Sequence, residues 1–247
     1  MHAFSNDEAI LDTQVQEIYL PFAQAALALQ QHKGRRILVG IAGAPGSGKS
    51  TFAASAAAEI NQLAGSPSAV VVGMDGWHYP NQLLEEKTIL RHGVPVALKT
   101  YKGVPESFDF DSFWAFLAEL KSKSELAYPV YDRAVHNPSP EAGKILASHS
   151  IVLVEGNYLL LDEEPWRRIR PILDLTCFIT AGESLRWRDL FKRHLRGRKT
   201  PQQAIRHIAR VDMANALRIG RPQADITLVR RKDTGFCDLQ MHFQLNP

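Results

Sequence analysis

The run Gly43-Ala44-Pro45-Gly46-Ser47-Gly48-Lys49-Ser50-Thr51 decides how the rest of this chain is read. It matches the pattern G-x-x-x-x-G-K-[ST]. Glycines at this spacing let successive backbone N–H groups turn inward and close on an anion. The lysine then reaches the outer phosphates of a bound triphosphate, and the hydroxyl of Ser50 suits Mg2+. The flanks agree with this reading. Arg36 to Ala42 is a short apolar run rich in β-branched residues and predicts a strand. Ser50 to Leu63 is alanine-rich and predicts a helix, whose N-terminal dipole adds to the anion site.

Working outward, Asp7 to Gln31 carries Ile10, Leu11, Val15, Ile18, Leu27 and Leu29 at helical spacing around Pro21, so one or two helices are expected to end near Gly34. Further strands are expected at Ala69–Gly73, Ile151–Val154, Ile172–Thr180 and Ile226–Val229, with a final hairpin strand from Phe236 to Phe243. A helix is expected over Ser107–Lys121. The runs at Ile37, Val70, Ile151 and Ile172 are continuously apolar rather than alternating, which is the mark of parallel strands covered on both faces. Strands separated by helices imply βαβ crossovers. The expected class is α/β: a three-layer α/β/α phosphate-loop NTPase with a mostly parallel central sheet. Two irregular, proline-punctuated stretches, Trp77–Pro105 and Tyr128–Pro140, are long enough to be functional loops.

The composition supports a folded globular chain. With 247 residues, 45% hydrophobic and 22% charged, it is neither disordered nor fibrous. No apolar run approaches the ~18 residues of a membrane span. No basic-then-apolar leader precedes Ser5, and Cys177 and Cys237 are too few for a disulfide framework, so a cytoplasmic location is expected. One domain is expected over 1–247, with an N-terminal helical segment at 1–34. The net charge is only +3, but Arg186 to Lys232 holds 14 Lys and Arg against three Asp, a local excess of +11. Such a block is a solvated helix face or a surface for nucleotide phosphate. Nucleic-acid binding is disfavoured, because aromatics are sparse there beyond Trp187 and Phe191 and no RNA-binding motif is present.

The second strand runs into Met74-Asp75-Gly76-Trp77-His78-Tyr79. A carboxylate at the end of a parallel strand, beside a phosphate loop, stands where open α/β sheets bind ligands. Asp75 could take a proton from an acceptor hydroxyl or help to hold Mg2+. The plainer alternative is a turn-forming Asp-Gly pair. Three more stretches follow in order: Gly103-Val-Pro-Glu-Ser-Phe108-Asp109, Pro129-Val-Tyr131-Asp-Arg133-Ala-Val-His136, and Glu155-Gly-Asn-Tyr158. Together with the phosphate loop, this ordered set over Arg35–Val229 resembles the small-molecule kinases that include phosphoribulokinase, uridine kinase and bacterial pantothenate kinase. It resembles most the bacterial subgroup named for nucleoside/nucleotide kinases or fructose-transport-system kinases.

The resemblance implies roles. Asp75 would be the catalytic base and a metal neighbour. Glu155 would lie near Mg2+, and Tyr131, Arg133 and His136 would line the acceptor pocket. Arg133 departs from the uridine kinase pattern, in which an aromatic follows the Asp. A guanidinium there suits a carboxylate, a phosphate or several hydroxyls. Each residue also has an ordinary alternative: Tyr131 a buried ring, His136 a turn cap, Glu155 a strand end. The helix expected at Leu185–Arg196, with Leu185, Leu190, Phe191 and Leu195 partly inward, would be an Arg-rich lid over 183–200, with Arg188 and Arg193 reaching the transferred phosphate. Arg186 and Arg193 are seven apart and share a face, as do Lys192 and Lys199.

The expected function is an ATP- and Mg2+-dependent kinase acting on a hydroxyl of a small metabolite such as a sugar, a nucleoside or a pantothenate-like acid. Two alternatives stay open: a nucleotide-hydrolysing regulator or chaperone with a macromolecular partner, and a nucleoside monophosphate kinase using Arg91 or Arg133 on a second phosphate. Oligomeric state is open too, a homodimer among the options. Replacing Lys49 by Ala is expected to abolish turnover, as read by coupled ADP release.

Overall fold

The computed structural model describes residues 13–91, 93–231 and 235–241. A π-helical turn, Val15–Tyr19, leads into α1 (Leu20–Lys33), which ends on Gly34 at φ 62°, a left-handed cap that glycine adopts without strain. Next come β1 (Ile37–Gly43), α2 (Lys49–Ala64) and β2 (Ala69–Gly73). The elements α3 (Asn81–Glu86), β3 (Thr88–Arg91), β4 (Val94–Ala97) and α4 (Phe110–Glu119) follow. They lead to β5 (Leu126–Asp132), β6 (Asn137–Ile145), β7 (Ile151–Gly156) and β8 (Leu175–Ala181). The chain continues through α5 (Glu183–Arg196), α6 (Pro201–His207), a π-helical turn at Ile208–Asp212, α7 (Met213–Ile219), β9 (Ile226–Arg231) and β10 (Gly235–Met241).

The central sheet has the order β10-β9-β8-β1-β7-β2. All its pairings are parallel except β10 with β9. Every residue of β1 is buried, as the unbroken apolar run requires of a strand covered on both faces. Alternation along β1 and β7 feeds two cores. Ile37, Val39, Ile41, Ile151 and Leu153 pack with Phe22, Ala26, Phe52, Ala56 and Ile60 of α1 and α2. Leu38, Ala42, Val152 and Val154 pack on the other face with Phe113, Leu117, Tyr158, Trp166 and Ile169. The result is the three-layer α/β/α arrangement. Neighbouring β1 and β7 send their chains to opposite faces, and a crevice opens beyond their carboxyl ends. No helix among the described residues is long and apolar enough to cross a membrane.

Several sequence expectations need correction. The strand expected from Ile172 starts at Leu175. Arg170–Ile172 is a 3-10 turn around Pro171, and Asp174 anchors the entry: its carboxylate accepts the Leu38 N–H at 3.0 Å and pairs with Arg35 and Lys121. The helix expected from Ser107 starts at Phe110. Asp109 caps it by accepting the Ser112 N–H, and Ser107 belongs to a preceding 3-10 turn. Tyr128–Pro140 is not an irregular loop but most of the β5–β6 hairpin, and Trp77–Pro105 contains α3 and the β3–β4 hairpin. Strands of a two-stranded ribbon have outward edges, where proline's missing N–H costs no ladder bond, and Pro129 sits where the register shifts. Leu195 is exposed and His194 is buried in its place. Lys199 lies beyond the end of α5, so it shares no helix face with Lys192. Ile10, Leu11, Lys232 and the end of the strand expected to reach Phe243 lie outside the described residues.

One contact ties the hairpin to the site. A Cβ built on Gly76 would sit 2.0 Å from the Pro129 carbonyl oxygen, so the turn after β2 presses directly on the β5 backbone. Gly76→Ala is expected to destabilise the fold by about 1–3 kcal/mol, read by thermal or urea denaturation.

Candidate active site

The 43–51 loop connects β1 to α2 by a backbone that only glycine can follow. Gly46 and Gly48 have φ of 77° and 98°. A Cβ on Gly43 would lie 2.6 Å from the Ile179 carbonyl oxygen, and one on Gly46 2.9 Å from Leu190. The loop is thus wedged between β8 and α5. Lys49 is buried beneath it, and its ammonium donates to the Ala44 carbonyl at 3.1 Å. Among the described residues the buried Ser47 hydroxyl has no partner, nor has Nη1 of Arg186, whose backbone abuts Gly46.

The next strand on one side, β7, brings Glu155. Its Oε1 accepts the Ser50 hydroxyl at 3.0 Å. Beyond β7, β2 runs into the 3-10 turn Met74–Trp77 that carries Asp75. His78 Nδ1 donates to the Asp75 carbonyl at 2.9 Å, which closes this turn and leaves the Asp75 carboxylate more than a third exposed. The β5 hairpin completes a cavity of about 180 Å3 lined by Asp75, Glu155, Tyr128, Tyr131 and Arg133.

The charges here are unbalanced in a telling way. Burial drives the Lys49 ammonium down to about 8, although Glu155 and Asp75 pull it upward. Burial, reinforced by the Asp75 charge, pushes the Glu155 carboxyl upward against Lys49 and Ser50. Burial thus disfavours the charged form of both groups in the protein alone. An anion over Lys49 and a cation beside Glu155 would relieve both. Tyr131 is raised to about 12 by burial and by Asp75, so it is a neutral phenol that can donate a hydrogen bond.

The structure therefore brings Gly43–Thr51, Asp75, Glu155, Tyr131 and Arg133 to one crevice. It does not bring His136 to the cavity wall: its ring lies against the Gly197 carbonyl at 3.1 Å, beyond the end of α5. Arg188 is exposed and turned to Asp189. Arg193 lies 3.6 Å from the buried carboxylate of Asp212, and its charge acts on both Lys49 and Tyr131. Four residues escaped the sequence reading as site members. Arg186 lies against the loop, while Asp212 receives both Arg193 and His194. Arg230 donates to the Gly46 carbonyl and pairs with Asp189 of α5. Lys102 stands 5.1 Å over the Tyr131 ring. Only Arg186 had a signal, its helical spacing from Arg193.

Comparisons with known proteins agree with this geometry. The profile described as "Phosphoribulokinase / Uridine kinase family" matches residues 38–232. A Schizosaccharomyces pombe protein named "putative uridine kinase" is 32% identical over 194 residues, 77% of this chain and 80% of that protein. A pantothenate kinase of Shouchella clausii is 26% identical over 198 residues, 71% of this chain and 60% of the relative. A crystal structure described as a "putative fructose transport system kinase" from Silicibacter sp. TM1040 matches with a TM-score of 0.75 and 33% identity, over 85% of this chain and 98% of that one.

The buried ammonium has a measurable cost. Lys49 holds its proton less well folded than unfolded, so the unfolded chain binds the extra proton between pH 8 and 10.5 and stability rises with pH across that window. Lys49→Met is expected to stabilise the ligand-free protein by about 1–3 kcal/mol at pH 7, with the gain shrinking above pH 8, as read by denaturation at several pH values.

Proposed function

The chain belongs to the phosphoribulokinase / uridine kinase family of kinases, and from that premise we propose that it transfers the γ-phosphate of ATP to a hydroxyl of a small metabolite, with Asp75 as the base. What supports this most is one junction. The phosphate loop, Glu155 and Asp75 stand on three adjacent strand ends, and Asp75 and Glu155 line one cavity.

The residues divide the work. Backbone amides of Gly43–Thr51 and the Lys49 ammonium cradle the triphosphate, and the unpartnered Ser47 hydroxyl is available to the same anion. Ser50, Glu155 and Asp75 present the hydroxyl and carboxylate oxygens that Mg2+ takes, so they fit that ion. When bound, Mg2+ neutralises charge on the β- and γ-phosphates. Asp75 accepts the acceptor's hydroxyl proton as that oxygen bonds to the γ-phosphorus. The bond from phosphorus to the β–γ bridging oxygen breaks, and ADP leaves with that oxygen. Tyr131 and Arg133 orient the acceptor. The segment 183–200 acts as a lid. Within it, Arg193 and Arg186 are better placed to meet the phosphates than Arg188, which is turned to Asp189. Little covalent work falls to the protein, so positioning and charge stabilisation carry the rate.

Asp75→Asn is expected to lower kcat by ~10²–10⁴ while Mg-ATP binding by calorimetry persists. Full activity of that variant would remove Asp75 as the base. A coupled ADP-release screen over sugars, nucleosides and vitamins tests the reading as a whole. ATP turnover that responds only to a protein or an RNA would replace it with a regulator.

A further inference from the structure

We propose that the acceptor of this kinase carries an anionic group, a carboxylate or a phosphate, in addition to the hydroxyl that is phosphorylated, and that Arg133 and Lys102 hold that group. The inference rests on the kinase reading above and narrows its substrate.

Arg133 follows β5 and lines the cavity beside Tyr131, Asp75 and Glu155. Arg133 is the first residue of the turn that joins β5 to β6. Among the described residues its guanidinium has neither a hydrogen bond nor an ion pair, and its charge acts on Glu155 and Tyr131. Arg133 is exposed at the mouth of the cavity, so the five N–H donors of its rigid fork are open to an incoming ligand.

Lys102 reaches the same tyrosine from the segment after β4. Its ammonium is only partly exposed, and it donates to Asn81 Oδ1 at 2.9 Å and to the His136 carbonyl at 2.7 Å. Both partners are neutral. It forms no ion pair among the described residues, and Asp75 acts on it only at a distance. A cation removed from water is costly unless it is paired. Burial depresses Lys102 to about 8, as expected of an ammonium that lacks a counter-ion. The neutral cage fixes its position in advance. Asn81 also accepts positioning from the hairpin, its backbone N–H donating to Asn137 Oδ1 at 2.9 Å.

Two cations without counter-ions among the described residues therefore stand near Tyr131, Arg133 on the cavity wall and Lys102 over the ring, whereas Arg193 has the Asp212 carboxylate. A neutral sugar or nucleoside would leave both without a counter-ion. A carboxylate or phosphate would take charge-assisted hydrogen bonds from them, and the guanidinium can bind it bidentately.

The test is ADP release from Mg-ATP with matched acceptors: D-fructose against D-fructose 6-phosphate, panthenol against pantothenate, and a wider set of hydroxy carboxylates and sugar phosphates beside their neutral counterparts. The expected result is an anionic acceptor favoured by about tenfold or more in kcat/KM over its neutral counterpart. Arg133→Gln and Lys102→Gln are each expected to cut that preference about tenfold, mainly through KM, with denaturation midpoints confirming that the variants fold. Neutral acceptors used as well as anionic ones, or a preference that survives both substitutions, would overturn the inference and leave the kinase reading standing. No turnover with any acceptor, in protein that binds Mg-ATP by calorimetry, would overturn both.

Discussion

The rest of the molecule depends on a buried ammonium under a backbone that has no room for side chains. Lys49 is enclosed by a loop whose glycines lie against the Ile179 carbonyl on β8 and Leu190 on α5. Burial makes its charge unfavourable in the protein alone, and a bound polyanion is the natural remedy. The loop can be held this tightly because β1 is buried on every residue and pinned by β7 and β8 on its two sides. A strand at the sheet edge could not fix the loop so firmly.

The same position makes the site a junction of remote segments. Glu155 and Asp75 arrive on the next two strands, and Gly76 lets the β5 hairpin close over them with Tyr131 and Arg133. From the other side, Arg230 on β9 ties α5 to the loop through Asp189 and the Gly46 carbonyl. Behind α5, the buried carboxylate of Asp212 receives His194 at 2.8 Å and faces Arg193, while Lys199 donates to the other His194 nitrogen. Burial holds the nearby His207 down to about 4, so it adds no charge to this network near neutrality. The basic block from Arg186 onward is therefore only partly a solvated face. Its inward members are spent on bracing α5 against the phosphate loop.

Legibility in the sequence followed the range of the forces involved. The strands of the central sheet showed as apolar runs because burial on both faces leaves no room for polar residues. The phosphate loop showed because its spacing is dictated by a local backbone path. The hairpin at Tyr128–Pro140 was hidden by prolines, which signal irregularity when read one residue at a time but are harmless on the outward edges of a ribbon. Leu195 was placed inward by polarity alone. The structure buries His194 there instead, because Asp212 and Lys199 satisfy both ring nitrogens. His136 resembled a pocket residue, yet its ring goes to the Gly197 carbonyl.

By itself the sequence determined the α/β class, the anion-binding loop, the carboxylates at the strand ends and the family resemblance, because each is encoded in a short contiguous run with its own period or spacing. Only the tertiary structure decided which cations stand near Tyr131 and which brace the helix behind the loop. Lys102, Arg133, Arg193 and Arg230 are alike as letters. What separates them is whether a carboxylate from a distant segment lies within ion-pair reach, as Asp212 does for Arg193 and Asp189 for Arg230, and that depends on how the chain is folded in space.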